Sequence, residues 1–258
     1  MAKNIPIKIE VYFTPLQIDE RQLKDKNIVI IDVLRSSTTI AMALQNGARE
    51  IIPVKNIESA MRISGGLAGD VTLRGGERNG KMIEGFELGN SPSEYTEERV
   101  KSKSIILLTT NGSPAMVAGR SAKNLFVAGF VNLSSVVQAL KNLATDFMII
   151  CSGQDGKFGL EDSVCAGKII NKITKEKDMS FTLDDSATAA AALDKAFGKS
   201  VPKLLATCDH GAYLASIGYQ NDLEICGALD SIPVVPFLAG GIIRTMKQKA
   251  QHPSKLAG

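Results

Sequence analysis

The chain has 258 residues, of which 44% are hydrophobic and 22% charged, and its formal net charge is +3. These are the values of an ordinary globular protein, and the length suffices for one large α/β domain or two small ones. A charge this small, without a lysine- and arginine-rich block, gives no reason to expect a nucleic-acid partner. The longest apolar stretch, residues 232–243, is interrupted by two prolines and two glycines. We expect no membrane-spanning helix, because one needs about 20 apolar residues.

The four cysteines and two histidines limit the chemistry further. No two cysteines form a CxxC pair, so they favour reduced thiols in a cytoplasmic protein over a disulfide framework. Two histidines are too few for a zinc site built on imidazole. A bound metal would therefore have oxygen ligands.

Short apolar runs alternate with helical patterns along most of the chain. Strands are predicted at 8–13, 28–32, 51–54, 105–108, 125–128, 147–151 and 234–237, and helices at 37–46, 57–63, 114–121, 133–143, 161–173, 184–197, 208–217 and 221–228. Residues 64–92 have many glycines and little periodicity, which predicts a long functional loop around a short strand at 71–73. The alternation predicts a three-layer α/β/α sandwich with a largely parallel or mixed sheet.

No proline- or glycine-rich linker divides the chain, so residues 1–258 are expected to form one domain. A subdomain boundary, if there is one, would fall near 145–150. Two strand–helix–strand–helix units, aligned at 48–50 and 122–124, look like a weak internal repeat. This likeness has two possible explanations: two related strand–helix–strand subunits within the chain, or chance similarity.

The first polar segment follows the apolar run at 28–31 and contains Asp32 and Arg35. A carboxylate at the end of a buried strand can hold Mg²⁺, and an arginine can bind a phosphate through two hydrogen bonds. The helix that begins here, near Ser36 and Thr38, would offer free N–H groups to an anion. The structural alternative is that Asp32 or Ser36 caps this helix.

A second candidate segment lies in the glycine-rich region. Glu77 and Arg78 stand among glycines, which allow a backbone to approach an anion closely. The alternative is a solvated turn with incidental charges. Asn90 and Ser91 precede Pro92, a pattern typical of a helix start, which would direct another helix N-terminus at the same pocket.

Two more polar segments follow later strands. Thr110, Asn111 and Gly112 come after the strand at 105–108 and offer a hydroxyl, an amide and a flexible backbone, although Asn-Gly is also an ordinary turn signal. Glu161 and Asp162 begin a helix after a glycine-rich loop and are candidate Mg²⁺ ligands. Carboxylates also favour the first turn of any helix.

Several known phosphatase chemistries do not fit. Leu34 stands where aspartyl-phosphate phosphatases have a second aspartate. Lys157 stands where a cysteine phosphatase built on Cys151 would need an arginine. Neither a Walker-type loop nor a G-x-G-x-x-G fingerprint is present.

Five segments together resemble the 2-phosphosulfolactate phosphatase family. They are residues 32–39 (DVLRSSTT), 76–80 (GERNG), 84–92 (EGFELGNSP), 109–112 (TTNG) and 160–167 (LEDSVCAG). The match runs from about residue 7 to 240 and is less distinct beyond Gly167. The resemblance implies a three-layer α/β fold and a Mg²⁺-dependent phosphatase that converts 2-phospho-3-sulfolactate into 3-sulfolactate and phosphate. In methanogens that step belongs to coenzyme M biosynthesis.

Roles follow from the resemblance together with the chemistry of the substrate, which carries several negative charges. The expected catalytic residues are Asp32, Glu77 and Glu161, and the expected Mg²⁺ ligands come from Asp32, Glu77, Glu161 and Asp162. The expected substrate-binding residues are Arg35, Ser36, Thr38, Arg78, Asn90, Ser91, Thr110, Asn111 and Gly112. A carboxylate not committed to the metal would act as general base.

Two other functions stay open at this point. One is a phosphatase of other phosphorylated 2-hydroxy acids, and the other is a non-catalytic binder of anionic metabolites. All three would take a small anionic phosphorylated molecule. The sequence also leaves a homo-oligomer open.

Overall fold

A computed structural model describes residues 5–66 and 71–246 of the chain. Within these residues, eleven strands form one mixed sheet. They are β1 (Ile7–Tyr12), β2 (Asn27–Ile31), β3 (Glu50–Pro53), β4 (Thr72–Arg78), β5 (Lys81–Met82), β6 (Ser104–Leu108), β7 (Asn124–Ala128), β8 (Phe147–Cys151), β9 (Phe181–Leu183), β10 (Pro236–Ala239) and β11 (Ile242–Thr245).

Helices connect most of these strands. They are α1 (Ser36–Gln45), α2 (Ile57–Gly65), α3 (Glu97–Val100), α4 (Gly112–Ala118), α5 (Leu133–Leu143), α6 (Leu160–Ile173), α7 (Asp185–Phe197), α8 (Val201–Thr207), α9 (Asp209–Ser216) and α10 (Gln220–Gly227). Polar caps fix some of their starts, because a side-chain oxygen satisfies an N–H group that has no partner within the helix. Asn56 does this for α2 and Asp184 for α7. None of these helices is both long and apolar enough to cross a bilayer.

The sheet consists of two parallel blocks joined by a hairpin. Its strand order is β5-β4-β6-β3-β11-β10-β7-β2-β8-β1-β9. Strands β4, β6 and β3 run parallel in one block, and β7, β2, β8, β1 and β9 in the other. The hairpin β10–β11 is antiparallel to both. Each of the two units that resemble a repeat has one strand in each block, since β2 leads to β3 and β6 leads to β7.

Two hydrophobic cores lie on the two faces of this sheet. Alternate residues of a strand point to opposite faces, so Val29 and Ile31 pack against α5, α6 and α7. Ile28 and Ile30 face the other way and pack with α1 and α4. Helices therefore cover both faces, which confirms the predicted α/β fold with three layers and a mixed sheet.

The glycine-rich region differs from its prediction. The short strand predicted at 71–73 is instead the longer strand β4 over residues 72–78, which pairs with β6, so residues 74–78 are not part of a loop. Gly76 has a φ of +148°, and a Cβ added there would lie 1.9 Å from the carbonyl oxygen of Leu108. Its missing side chain therefore permits close strand pairing, and Glu77 is held by regular sheet structure.

Five short elements were not predicted from the sequence pattern: α3, α8, β5, β9 and β11. Strands of two or three residues such as β5 and β9 are too short to show alternation, and the three others span only four to seven residues. The late strand runs over 236–239 rather than 234–237. The secondary structure of each of these segments depends more on the elements that it packs against than on its own sequence pattern.

The hairpin β10–β11 lies between the two parallel blocks of the sheet. Its described pairings are with Leu125 and Phe126 in β7 and with Ile51 in β3. At the carboxyl ends of the parallel strands, the loops that follow β2 and β6 come together, and Ser36 Oγ lies 3.2 Å from Thr109 Oγ1. Ligands of open α/β sheets bind at such strand ends.

Candidate active site

A cavity of about 270 Å³ lies where these loops meet. Its size suits a small acid rather than a nucleotide. It is lined by Asp32, Leu34, Arg35, Ser36, Glu77, Asn79, Gly80, Asn90, Thr110, Asn111, Gln154, Asp155, His210, Tyr213 and Leu214. The cavity thus brings together residues from four of the five sequence segments, with the helix α9 forming a further wall.

Asp32 lies directly after β2 and is 5% exposed. Its Oδ1 accepts the Ser36 N–H at 3.1 Å and its Oδ2 accepts the Ser36 hydroxyl at 2.8 Å. A Cβ added to Gly112 would lie 2.4 Å from that Oδ2, so only glycine leaves the carboxylate its place. Burial raises the pKa of Asp32 above its ordinary value, and the charge of Glu77 acts in the same direction. The predicted cap is therefore present, in a carboxylate that also faces the cavity.

Glu77 lies near the end of β4 and is 7% exposed. Its Oε1 accepts the Thr110 N–H at 2.6 Å, and its Oε2 accepts the Gly80 N–H at 2.9 Å and the Thr110 hydroxyl at 3.2 Å. These donors fix the side chain between the β4 and β6 loops. The carboxylate therefore has a single orientation at the cavity wall.

No positively charged side chain among the described residues forms a hydrogen bond or an ion pair with either buried carboxylate. All hydrogen bonds that the described residues make to Asp32 and Glu77 come from uncharged N–H and O–H groups. In the same cavity, Asn90 Oδ1 is buried without a hydrogen-bond partner in the described part of the chain. A buried carboxylate is costly without a compensating cation. The arrangement therefore fits a bound cation with oxygen ligands.

Mg²⁺ is a cation of this kind, since proteins hold it through one or two carboxylates, waters and substrate phosphate oxygens. Across residues 5–66 and 71–246, no three side chains of Asp, Glu, His or Cys cluster as a closed metal site would require. The predicted ligands Glu161 and Asp162 do not line the cavity. At the cavity wall, Asp32, Glu77 and Asp155 therefore bring carboxylates, and Asn90 brings an amide oxygen that has no hydrogen-bond partner among the described residues.

Asp162 joins two loops of the site instead. Its Oδ1 accepts the Val33 N–H at 2.8 Å and its Oδ2 accepts the Gly153 N–H at 3.0 Å. Burial raises its pKa well above the ordinary value, and the charges of Glu161 and Asp32 add to this. Asp162 thus connects the segments that follow β2 and β8.

Arg35 lines the cavity but is already paired. Its Nη1 donates to Asp222 Oδ2 at 2.7 Å, its Nη2 donates to the Gly80 carbonyl at 2.6 Å, and its guanidinium lies 4.1 Å from the centre of the Tyr219 ring. Asp222 also accepts the Ser91 hydroxyl at 2.6 Å. The arginine is therefore held in one orientation, and Asp222 balances its charge.

Glu161 does not line this cavity but contacts His210, which does. Its Oε1 lies 3.2 Å from His210 Nδ1, and the two side chains are 3% and 14% exposed. Burial lowers the pKa of His210, but the hydrogen bond to Glu161 and the charges of Glu161 and Asp32 outweigh it and raise the pKa above its ordinary value. Glu161 thus acts on the cavity through His210.

Of the predicted substrate-binding residues, Arg35, Ser36, Asn90, Thr110 and Asn111 line the cavity. Four others do not, and each has a local reason. Thr38 is fully buried and bonds to the Val33 carbonyl, Ser91 bonds to Asp222, and Arg78 is exposed and bonds to the Glu77 carbonyl. Gly112 contributes the space beside Asp32 rather than a lining surface.

His210, Asp222 and Tyr219 were not predicted from the sequence. They lie on α9, on α10 and just before α10, far along the chain from the strand ends that they complete. The signal available for His210 is that the chain has only two histidines. Asp222 stands in the first turn of a helix, where a carboxylate is unremarkable because it favours the helix dipole.

The family model of 2-phosphosulpholactate phosphatase matches residues 12–241. A protein of Caldanaerobacter subterraneus subsp. tengcongensis, named probable 2-phosphosulfolactate phosphatase, is 38% identical over 237 residues, which cover 92% of this chain and 98% of that protein. Proteins with the same name from Clostridium novyi and Thermotoga maritima are 36% and 39% identical over 230 and 217 residues. These matches cover 89% and 84% of this chain, and 96% and 91% of the two relatives. The chain belongs to the 2-phosphosulpholactate phosphatase family.

Proposed function

We propose that this protein is a Mg²⁺-dependent phosphatase that hydrolyses 2-phospho-3-sulfolactate to 3-sulfolactate and phosphate. The observation that carries the proposal is the cavity between Asp32 and Glu77, two buried carboxylates whose partners are all uncharged. The family and the names of the relatives support the substrate. The reaction would take place in the cytoplasm, a location that the four free, buried thiols favour.

The charges at the cavity wall support the dependence on a cation. Asp32, Glu77 and Asp155 bring three carboxylates, whereas Arg35 and His210 are the basic side chains among the lining residues, and Asp222 already balances Arg35. Without a further cation, this wall would repel a substrate that carries phosphate, carboxylate and sulfonate groups. A non-catalytic anion binder would gain nothing from these carboxylates.

The helix start at α1 supports the same conclusion. The Ser36 N–H bonds to Asp32 Oδ1, and the Ser37 N–H bonds to the Asp32 carbonyl. These N–H groups were predicted to bind the phosphate, but Asp32 occupies them. Recognition of the anion therefore falls to Arg35, to the hydroxyl and amide side chains of the wall, and to the cation.

Asp32 and Glu77, with the Asn90 amide oxygen, would hold Mg²⁺. When bound, Mg²⁺ neutralises phosphoryl oxygens and orients the attacking water. Phosphoryl transfer requires mainly positioning and charge stabilisation from the protein. The fixed Arg35 guanidinium would contribute positioning, because Asp222 already balances its charge. With Asp32 and Glu77 at the metal and Glu161 against His210, we assign no carboxylate as general base.

A substrate panel tests this proposal. Phosphate release is measured from racemic 2-phospho-3-sulfolactate, phospholactate and phosphoglycolate, each with Mg²⁺ and with EDTA. We expect fast release that requires Mg²⁺ and favours the sulfonate. Equal release from all three acids would keep a phosphatase of phosphorylated 2-hydroxy acids and remove the sulfonate preference. Binding of the acids without any release would leave an anion binder.

A further inference from the structure

His210 is one of two basic side chains among the residues that line the cavity, and its ion-pair partner Glu161 does not line it. It stands at the start of α9, and its ring is 14% exposed, so it reaches the cavity without being solvated on all sides. None of the sequence segments that resemble the family contains it. We therefore infer its role from the residues around it.

The hydrogen bond to Glu161 determines which nitrogen of the His210 ring is available to a substrate. Nδ1 lies 3.2 Å from Glu161 Oε1, so a proton on Nδ1 is shared with that carboxylate. In the described part of the chain no group bonds to Nε2, while the ring lines the cavity. Nε2 is therefore the ring nitrogen that a bound substrate can contact. A carboxylate that orients a histidine in this way is typical of proton-transfer sites.

The ester oxygen of a phosphorylated 2-hydroxy acid needs such a group. Breaking the bond between phosphorus and this oxygen leaves an alkoxide, which is a poor leaving group unless it gains a proton during the step. Resting on the proposed function, we infer that His210 is the catalytic residue that protonates the leaving oxygen through Nε2, and that Glu161 is its positioning residue.

The step balances in atoms and charge. A water oxygen bonds to phosphorus as the bond from phosphorus to the ester oxygen breaks. The electron pair of the broken bond stays on the ester oxygen, which takes the proton from Nε2 and becomes the alcohol. The phosphate carries the two hydrogens of the water and returns one to solvent, and solvent reprotonates His210.

The charges around His210 favour its protonated form. Glu161 contacts it directly, Asp32 acts from across the cavity, and Arg35 opposes them. Cys208, at the start of the same helix, is a neutral neighbour because burial raises the pKa of its thiol to about 12. The neighbouring charges therefore favour a protonated His210, and its hydrogen bond to Glu161 leaves Nε2 as the atom that donates the proton.

The test compares two esters that differ in their need for a proton. His210→Gln is assayed with 2-phospho-3-sulfolactate, whose alkoxide needs protonation, and with p-nitrophenyl phosphate, whose phenolate leaves without it. We expect kcat for the alkyl ester to fall about 100-fold or more, and kcat for the aryl ester to stay within a few-fold. Glu161→Gln should give a smaller loss with the same selectivity.

Controls separate this role from a structural one. Asp209→Asn removes a carboxylate from the exposed residue beside His210 and should leave both activities unchanged. Cooperative thermal unfolding of His210→Gln would show that the fold is intact, and p-nitrophenyl phosphate turnover reports the intact site in any case. Equal losses with both esters would overturn the inference.

The outcome stays distinct from that of the proposed function. If the wild type prefers another alkyl phosphate, the sulfonate assignment fails, and the same comparison is made with that ester. If the wild type cleaves the aryl ester but no alkyl ester, the inference about His210 is wrong. If it cleaves neither ester, both the inference and the proposed function are wrong.

Discussion

Asp222→Ala removes one partner of a buried ion pair and should cost more stability than the loss of an equally short pair at the surface. Arg35 Nη1 and Asp222 Oδ2 are 2.7 Å apart, with side chains 2% and 3% exposed. Lys101 and Glu97 are also 2.7 Å apart, with side chains 66% and 65% exposed. Because the distances are equal, the two pairs differ mainly in burial. Removing one partner of a buried pair leaves an uncompensated charge and costs about 3–5 kcal/mol.

We expect Asp222→Ala to lower the free energy of unfolding by about 3 kcal/mol, at the low end of that range, because the Gly80 carbonyl and the Tyr219 ring still contact Arg35. Glu97→Ala should leave the free energy of unfolding nearly unchanged, since water screens an exposed pair. Urea unfolding followed by circular dichroism measures both variants. Equal losses in the two variants would refute the argument from burial.

A double variant separates stability from activity. Arg35→Met with Asp222→Leu removes both buried charges, and such replacements are often neutral or stabilising. It should recover much of the stability that Asp222→Ala loses, while phosphate release stays low because Arg35 is absent. Recovery of activity in the double variant would contradict the role of Arg35 in binding the substrate.

Three further predictions concern the cavity. Gly112→Ala should lower kcat/KM strongly, since its Cβ would lie 2.4 Å from Asp32 Oδ2, whereas Gly65→Ala, with open space around the added atom, should keep wild-type kinetics. Asp32→Asn and Glu77→Gln should each raise the Mg²⁺ concentration needed for half-maximal phosphate release, and an unchanged requirement would remove that residue from the metal site. Because the folded-state pKa of His210 is raised, its stabilisation is complete below the unfolded pKa of about 6.5 and is lost as pH rises through the folded value. Urea unfolding measured at a series of pH values from below about 6.5 upward should therefore show that the free energy of unfolding falls with pH in the wild type by more than in His210→Gln. If the free energies of the two proteins instead run parallel with pH, the prediction is contradicted.

Sequence reasoning predicted the layers and the family correctly because both depend on local patterns. Apolar runs such as Ile28–Ile31 reported buried strands, and the structure confirms β2 at Asn27–Ile31. The resemblance to the 2-phosphosulfolactate phosphatase family is confirmed, as is the predicted enzyme class, a phosphoric monoester hydrolase. Strand ends also indicated Asp32 and Thr110, and the glycine-rich segment indicated Glu77; the fold brings all three to one cavity.

The rest of the site depends on contacts between distant parts of the chain, which a local pattern does not contain. Asp222 lies 187 positions after Arg35, and His210 lies 49 positions after Glu161. Arg78 differs from these residues, because its segment predicted a phosphate ligand and its side chain at the end of β4 is exposed and does not line the cavity. Whether a charged residue faces the cavity depends on which side of its strand or helix the completed fold covers.

The most direct test of the central claim is the Mg²⁺ dependence of phosphate release from 2-phospho-3-sulfolactate by the wild-type protein. We expect release to rise with Mg²⁺ to saturation, to fall to background in EDTA and to return when Mg²⁺ is restored. Release that continues undiminished in EDTA would contradict a metal site between Asp32 and Glu77. Absence of release at any Mg²⁺ concentration would contradict the proposed phosphatase.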